Sequence, residues 1–200
     1  MKVKIKKEGK SKEFSLINSW TDVTLESWLK LIDFAEGTKT EEATNTIAEL
    51  SNIPKRLIKE LQLSDVAFIM NKVGELQAKQ DTKLKRLIEI NGVEYGFHPD
   101  LDSITLGEYA DIEQLIKNGI ETNLPELMAI LYRPIKQKHE NGVYVIDAYD
   151  GDIRMRTEEM KQMSSEQVQS ALRFFFALGK VLLKILPSYL MDKQKEMRKQ

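Results

Sequence analysis

An α+β fold, mostly helical and built as a tandem duplication of a β-hairpin followed by a small helical bundle, is predicted by three features of the sequence. The run Trp20-Thr21-Asp22-Val23-Thr24-Leu25-x-x-Trp28-x-x-Leu31 returns 81 positions later as Leu101-Asp102-Ser103-Ile104-Thr105-Leu106-x-x-Tyr109-x-x-Ile112, and Ile47-Ala48-x-Leu50 then falls on Met128-Ala129-x-Leu131 without a gap. Each copy is preceded by alternating apolar and polar residues around a glycine turn, and each ends in a longer helical pattern. The predicted modules are residues 1–80 and 81–200, the second carrying an insertion over 136–155 and an apolar C-terminal helix. A doubled unit multiplies surfaces rather than building one reactive cleft.

In the first module, Val3-Lys4-Ile5-Lys6, Glu8-Gly9-Lys10 and Phe14-Ser15-Leu16-Ile17 form a hairpin pattern with one face to bury. Thr24 offers its side-chain oxygen to the unpaired amides at the start of a helix. Leu25, Trp28, Leu31 and Ile32 share one side of that helix, and Gly37 supplies its stop. A second helix runs from about Glu41 to Leu50. Pro54 ends it and suits the first turn of a third helix carrying Leu57, Ile58 and Leu61. Ser64 is expected to cap a longer helix with Val66, Ile69, Met70, Val73 and Leu76 on its inner face.

The second module carries the sharper hairpin signal: Leu87-Ile88-Glu89-Ile90, Asn91-Gly92, Val93-Glu94-Tyr95-Gly96-Phe97. Both central residues of a type I′ turn need φ > 0, which Asn and Gly tolerate. Thr105-x-x-Glu108 forms a capping box, whereas Ser27 gives Thr24 no reciprocal carboxylate, so the first cap is the weaker. Leu106, Tyr109 and Ile112 are expected to face inward, with the helix stopping near Gly119. Pro125 starts the next helix and Pro134 ends it. His139 to Asp152 then adds a β-rich stretch around Val143-Tyr144-Val145-Ile146, read as an extra hairpin or arm. Ser164 or Ser165 caps the last helix, which aligns Val168, Leu172, Phe175, Leu178, Leu182 and Ile185. Arg173, Lys180, Lys184 and Pro187 break its apolar run, which favours a core or interface helix over a membrane span. Tyr189 to Gln200 reads as a short basic amphipathic helix or a frayed tail.

With 200 residues, 42% of them apolar and 30% charged, the chain can bury a sizeable core, as one compact domain or two small ones. The net charge of −1 hides basic ends: Lys2, Lys4, Lys6, Lys7, Lys10 and Lys12 at one, Lys193, Lys195, Arg198 and Lys199 at the other. These read as solvated faces, and nucleic-acid contact is open only through them. The absence of cysteine removes disulfides, thiolate metal sites and cysteine nucleophiles, and fits a reducing cytoplasm. The first residues alternate Lys with Val and Ile and show no secretory signal.

Chemistry-bearing motifs are scarce. There is no glycine-rich phosphate loop, and two histidines, His98 and His139, do not support a Ser/His/Asp arrangement. His98-Pro99-Asp100 matches the tripeptide of J-domain co-chaperones. There it joins two antiparallel helices; here it follows a strand and precedes a capping threonine, so it reads as a turn. Asp147, Asp150, Asp152 and Glu158 have the outer spacing of a calcium loop, but Tyr149 and Gly151 occupy ligand positions and the glycine falls one place early, which leaves a tight acidic turn. The adjacent carboxylates Glu41 and Glu42, or Glu158 and Glu159, diverge on a helix and suit helix starts. Trp20, Trp28 and Tyr109 read as core aromatics. The expectation is therefore no enzyme, no cofactor and no metal.

The run Ser19-Trp20-x-Asp22-Val23-Thr24-Leu25-x-x-Trp28, with Ile47-Ala48-x-Leu50-x-x-Ile53-Pro54 and Leu61-x-Leu63-Ser64-Asp65-Val66, resembles a pattern found in small structural and tail-assembly proteins of tailed bacteriophages. Leu101-x-x-Ile104-Thr105-Leu106-Gly107-x-Tyr109-x-Asp111-Ile112-Glu113 and Met128-Ala129-Ile130-Leu131-Tyr132-Arg133-Pro134 resemble it as well. The resemblance implies a virion or assembly protein working through protein contacts, with no catalytic residues. It implies a homo-oligomeric ring in the neck or tail, assembled in the host cytoplasm with other neck and tail proteins and without a membrane. The alternative is a tail assembly chaperone absent from the finished particle. Phe174, Phe175 and Phe176 point about 100° apart around one helix, so a single packing contact cannot cover all three. Together with Val143, Tyr144 and Tyr149 they are the candidate interface residues.

Overall fold

Eight α-helices, two short 3-10 turns and two antiparallel sheets make up the described part of the chain. The structure, a computed structural model, describes residues 1–7, 10–77, 81 and 83–176. The first hairpin's Glu8-Gly9 turn, the continuation of the last helix beyond 176 and the basic segment from Tyr189 to Gln200 lie outside those residues.

β1 (Lys2–Lys7) pairs with β2 (Lys10–Ser15), Val3 opposite Phe14 and Ile5 opposite Lys12. Opposed residues share a face of an antiparallel pair, so Val3, Ile5 and Phe14 turn together toward the core they pack against. A 3-10 turn at Trp20–Asp22, closed by a Ser19/Asp22 capping box, leads to α1 (Leu25–Phe34). Thr24 caps α1, its Oγ1 accepting from the Ser27 amide at 3.2 Å. α2 (Lys39–Glu49) starts in a Thr38/Glu41 capping box, a signal the sequence reading passed over. α3 (Lys55–Ile58) follows, with Pro54 at its cap position rather than in its first turn. α4 (Leu63–Gln77) contains Ser64 as its second residue. The Gln62 carbonyl accepts from the Asp65 and Val66 amides, so the helix begins two residues earlier than a Ser64 cap requires.

The second hairpin, β3 (Leu87–Ile90) and β4 (Val93–Phe97), closes through Asn91 at φ 52° and Gly92 at φ 79°, as its Asn-Gly turn demands. A 3-10 turn at Leu101–Ser103 precedes α5 (Leu106–Lys117), which has the full Thr105/Glu108 capping box. α6 (Leu124–Leu131) carries Pro125 in its first turn. The chain then passes directly into β5 (Tyr132–Lys138), so Pro134 lies inside a strand instead of after a helix. The N–H and C=O of one residue face the same neighbouring strand in an antiparallel sheet, and the Pro134 carbonyl accepts from the Asp147 amide just past the end of β6. Its missing N–H therefore faces away from β4 and removes no bond of the β4–β5 ladder.

β6 (Tyr144–Ile146) completes the order β3-β4-β5-β6. The inserted stretch is thus an extra hairpin, as expected, but not a free arm: Tyr144 is buried and its hydroxyl donates to the Phe97 carbonyl at 2.6 Å. α7 (Arg154–Met160) leads to α8, over 165–176. Ser164 is the cap of α8, with Gln167 returning a bond to its amide.

Two cores result. The first gathers Leu16, Trp20, Val23, Ile47, Leu50, Ile53, Ile58, Ile69 and Val73. The second gathers the sheet residues Ile88, Tyr95, Phe97 and Tyr132 with α6, Met160, Met163 and Val168, and it also includes Leu25 from α1. Trp28 packs against both. The two parts of the chain are also joined by backbone bonds, Leu25 N–H to Met163 O and Ser165 N–H to Val23 O, both 2.7 Å. α5 departs from the sequence reading: Ile112 is buried, but Leu106 and Tyr109 are exposed. Glu108 takes the inward place, at helical spacing from Ile112 and Leu115.

Thr105→Ala is expected to cost about 1 kcal/mol of stability, because the Thr105 hydroxyl accepts from the Glu108 amide and holds its carboxylate. Urea unfolding checks this; an unchanged midpoint at constant slope would remove the capping role.

Candidate functional site

Among the described residues, one cluster of buried ionisable groups joins the start of α5 to the large sheet. The capping box turns Glu108 inward, the end of β4 supplies His98 and the second residue of β5 supplies Arg133. Arg133 Nη2 lies 2.7 Å from Glu108 Oε1, an ion pair not aligned as a hydrogen bond, and His98 Nε2 lies 3.5 Å from the same oxygen. Glu108 Oε2 accepts from the Thr105 amide at 2.7 Å and hydroxyl at 2.6 Å. The His98 amide donates to the Leu131 carbonyl, which fixes the end of β4 against the α6–β5 junction. Tyr149 covers the outer side, with Arg133 over its ring and its hydroxyl donating to Asp111.

Burial alone would raise the Glu108 carboxyl; the Thr105 hydroxyl and amide, then the charges of Arg133 and His98, outweigh it and hold the group below its ordinary value. Burial lowers His98, with Glu108 opposing and Arg133 adding to the effect. Burial raises the Tyr149 phenol, and its bond to Asp111 raises it further. Glu108 is thus a fixed anion that locks α5 onto the sheet. Glu108, His98 and Arg133 are all buried.

The six candidate interface residues separate into two groups. Tyr144 is buried in its own sheet. Phe174 stands edge-on to Phe97, with ring centroids 5.6 Å apart, and Phe175 and Tyr149 pack against the same core. Val143 and Phe176 remain at the surface, Phe176 edge-on to Phe175. The structure also exposes apolar side chains that sequence reasoning did not single out as surface: Leu63, Phe68, Leu106, Ile116 and Met155. Leu106 carried the same spacing signal as the buried Leu25, so periodicity offered nothing to separate them. An open groove between α2, α3 and the start of α4 is lined by Ala43, Thr44, Ile58, Leu61, Leu63 and Val66, together with Lys39, Lys55, Arg56 and Lys59.

Among the described residues no group of three or more His, Cys, Asp or Glu side chains is placed to hold a metal ion. In the acidic turn Asp150 accepts from the Asp152 amide, Gly151 takes φ 81° and Asp152 pairs with Arg154. No helix among the described residues is long and apolar enough to cross a membrane. Comparison with protein-family models, curated proteins and solved structures yields no match to this chain.

Proposed function

We propose that the chain is a structural component of a tailed-phage particle, a duplicated hairpin-and-helices unit that forms a ring in the neck or tail through contacts between its own subunits. The observation that carries the reading is the recurrence of element order in register. Trp20–Asp22 and Leu101–Ser103 are 3-10 turns, Thr24 and Thr105 cap the next helices, and both pairs stand 81 positions apart. α3 and α4 correspond in turn to α7 and α8 at a spacing of 102, where Ile58, Leu61, Val66 and Ile69 meet Met160, Met163, Val168 and Ala171. β5 and β6, which have no counterpart in the first unit, take up the difference. Two like units whose one buried charged cluster is structural are suited to presenting surfaces.

The phage assignment rests on the resemblance of the Trp20–Trp28 and Leu101–Glu113 runs to tail and neck proteins. The alternative, a tail assembly chaperone, draws support from the exposed Leu63, Leu106 and Met155, which suit transient cover for apolar patches on other tail proteins. Mass spectrometry of purified particles separates the two. The ring reading expects the chain in many copies per particle; its absence from particles, with abundance in infected cells, overturns the ring and leaves the chaperone.

A further inference from the structure

Leu25 and Leu106 are both the first residue of a threonine-capped helix, yet Leu25 is 0% exposed and Leu106 is 83% exposed. The difference arises because Leu25 is covered by the other unit. The Leu25 amide donates to the Met163 carbonyl, the Glu26 amide to the Lys161 carbonyl and the Ser165 amide to the Val23 carbonyl, while Thr24 and Ser164 form an antiparallel bridge. Leu25 thereby joins the core that contains Met160, Met163 and Val168. The start of α1 is a plug, and the turn between α7 and α8 is its socket.

This contact runs one way. The socket's counterpart in the first unit is the turn between α3 and α4. It is open: Leu63, the first residue of α4, is 87% exposed beside the groove bounded by α2, α3 and α4. Those three helices correspond to α6, α7 and α8, which surround the internal socket. The plug's counterpart in the second unit, the start of α5, is open too, with Leu106 and Tyr109 at the surface. Among the described residues, one chain therefore carries an open plug at one unit and an open socket at the other.

Resting on the duplicated-unit reading above, we infer that the start of α5 in one copy docks into the α3–α4 groove of a second copy, repeating between subunits the contact that α1 makes within the chain. The occupant is a second copy because the two open surfaces are the counterparts of the two sides of a contact already formed inside the molecule. A plug and a socket on different units make a head-to-tail contact, which closes into a ring when the rotation permits and otherwise extends as a filament.

The test uses the full chain, with Leu63→Asp and Leu106→Asp prepared separately. Both sites are first residues of helices and exposed, and aspartate is favoured at a helix start, so both variants keep the fold by near-ultraviolet circular dichroism. The unmodified chain is expected to give a scattering mass that rises with concentration. Each variant alone weakens association by more than about thirtyfold, because a carboxylate is forced into an apolar contact. An equimolar mixture of the two gives a species about twice the 23.1 kDa chain mass and nothing larger. Leu63→Asp retains a plug and Leu106→Asp retains a socket, so only that pairing survives.

A monomeric unmodified chain, single variants that associate like it, or a mixture that stays monomeric each overturns the inference. Association unaffected by either substitution rejects this interface while leaving a ring built through another surface. An intact plug and socket in a chain missing from purified particles rejects the virion reading alone.

Discussion

Replacing Glu108 with alanine is expected to destabilise the chain by about 3–5 kcal/mol. Glu108 and Arg133 are both buried, and the desolvation of Arg133 is offset by this carboxylate. Truncation leaves an uncompensated guanidinium in the interior and frees the Thr105 amide from its acceptor at the first turn of α5. Arg133→Met on the Glu108→Ala background should restore part of the loss, since an apolar pair replaces an orphaned charge. The same cluster sets an acid response. Glu108 titrates below its ordinary value when folded, so its contribution is present above the usual carboxylate range and lost as pH falls through it. His98 is also lowered, so folding favours its neutral form and stability declines as pH drops below the ordinary histidine range. Both contributions have the same sign, and Glu108→Ala should flatten the carboxylate part of the unfolding profile. A loss under about 1 kcal/mol would mean that the ion pair contributes little to holding α5 on the sheet.

Gly96→Ala is expected to cost about 2–4 kcal/mol, for a reason unrelated to backbone freedom. A Cβ at Gly96 meets the Tyr144 ring at 2.5 and 2.8 Å and Ile146 Cγ2 at 2.9 Å. The ring cannot swing away cheaply, because its hydroxyl is bonded to the Phe97 carbonyl and its body is buried. β6 should therefore lift from the sheet, measurable as faster proteolysis between residues 139 and 153 together with the fall in stability. Tyr144→Ala should absorb much of the Gly96→Ala effect in a double-mutant cycle, whereas additive losses would show that the two residues are not in steric conflict.

Local signals account for what could be read from the residues alone. Asn91-Gly92 marks a turn that few other dipeptides tolerate, Thr24 and Thr105 cap where their spacing to the following helices said they would, and of Ser164 and Ser165 the first is the cap. What escaped was non-local. Pro134 sits in a strand because β5 has a partner on each side and the proline falls where the β4–β5 ladder needs no N–H from it, a fact set by β4 and β6 together. Leu25 and Leu106 carry the same pattern and opposite exposures, because burial of the first depends on residues 161–166, far along the chain. The buried cluster was half visible: the Thr105-x-x-Glu108 box was plain, but His98 read as a turn residue and Arg133 had no partner in view until β4, β5 and α5 came together. Tyr144 was a candidate for an interface as part of the inserted hairpin, and Phe174 through the spread of three phenylalanines around one helix; Tyr144 is buried in its own sheet and Phe174 packs from α8 against Phe97.

The scattering mass of the unmodified full chain, followed over a wide concentration range, tests most directly whether this chain works by joining copies of itself. A mass that climbs from 23.1 kDa to a fixed multiple greater than two is expected, as a closed head-to-tail ring requires. A mass that stays at 23.1 kDa at every concentration would contradict it.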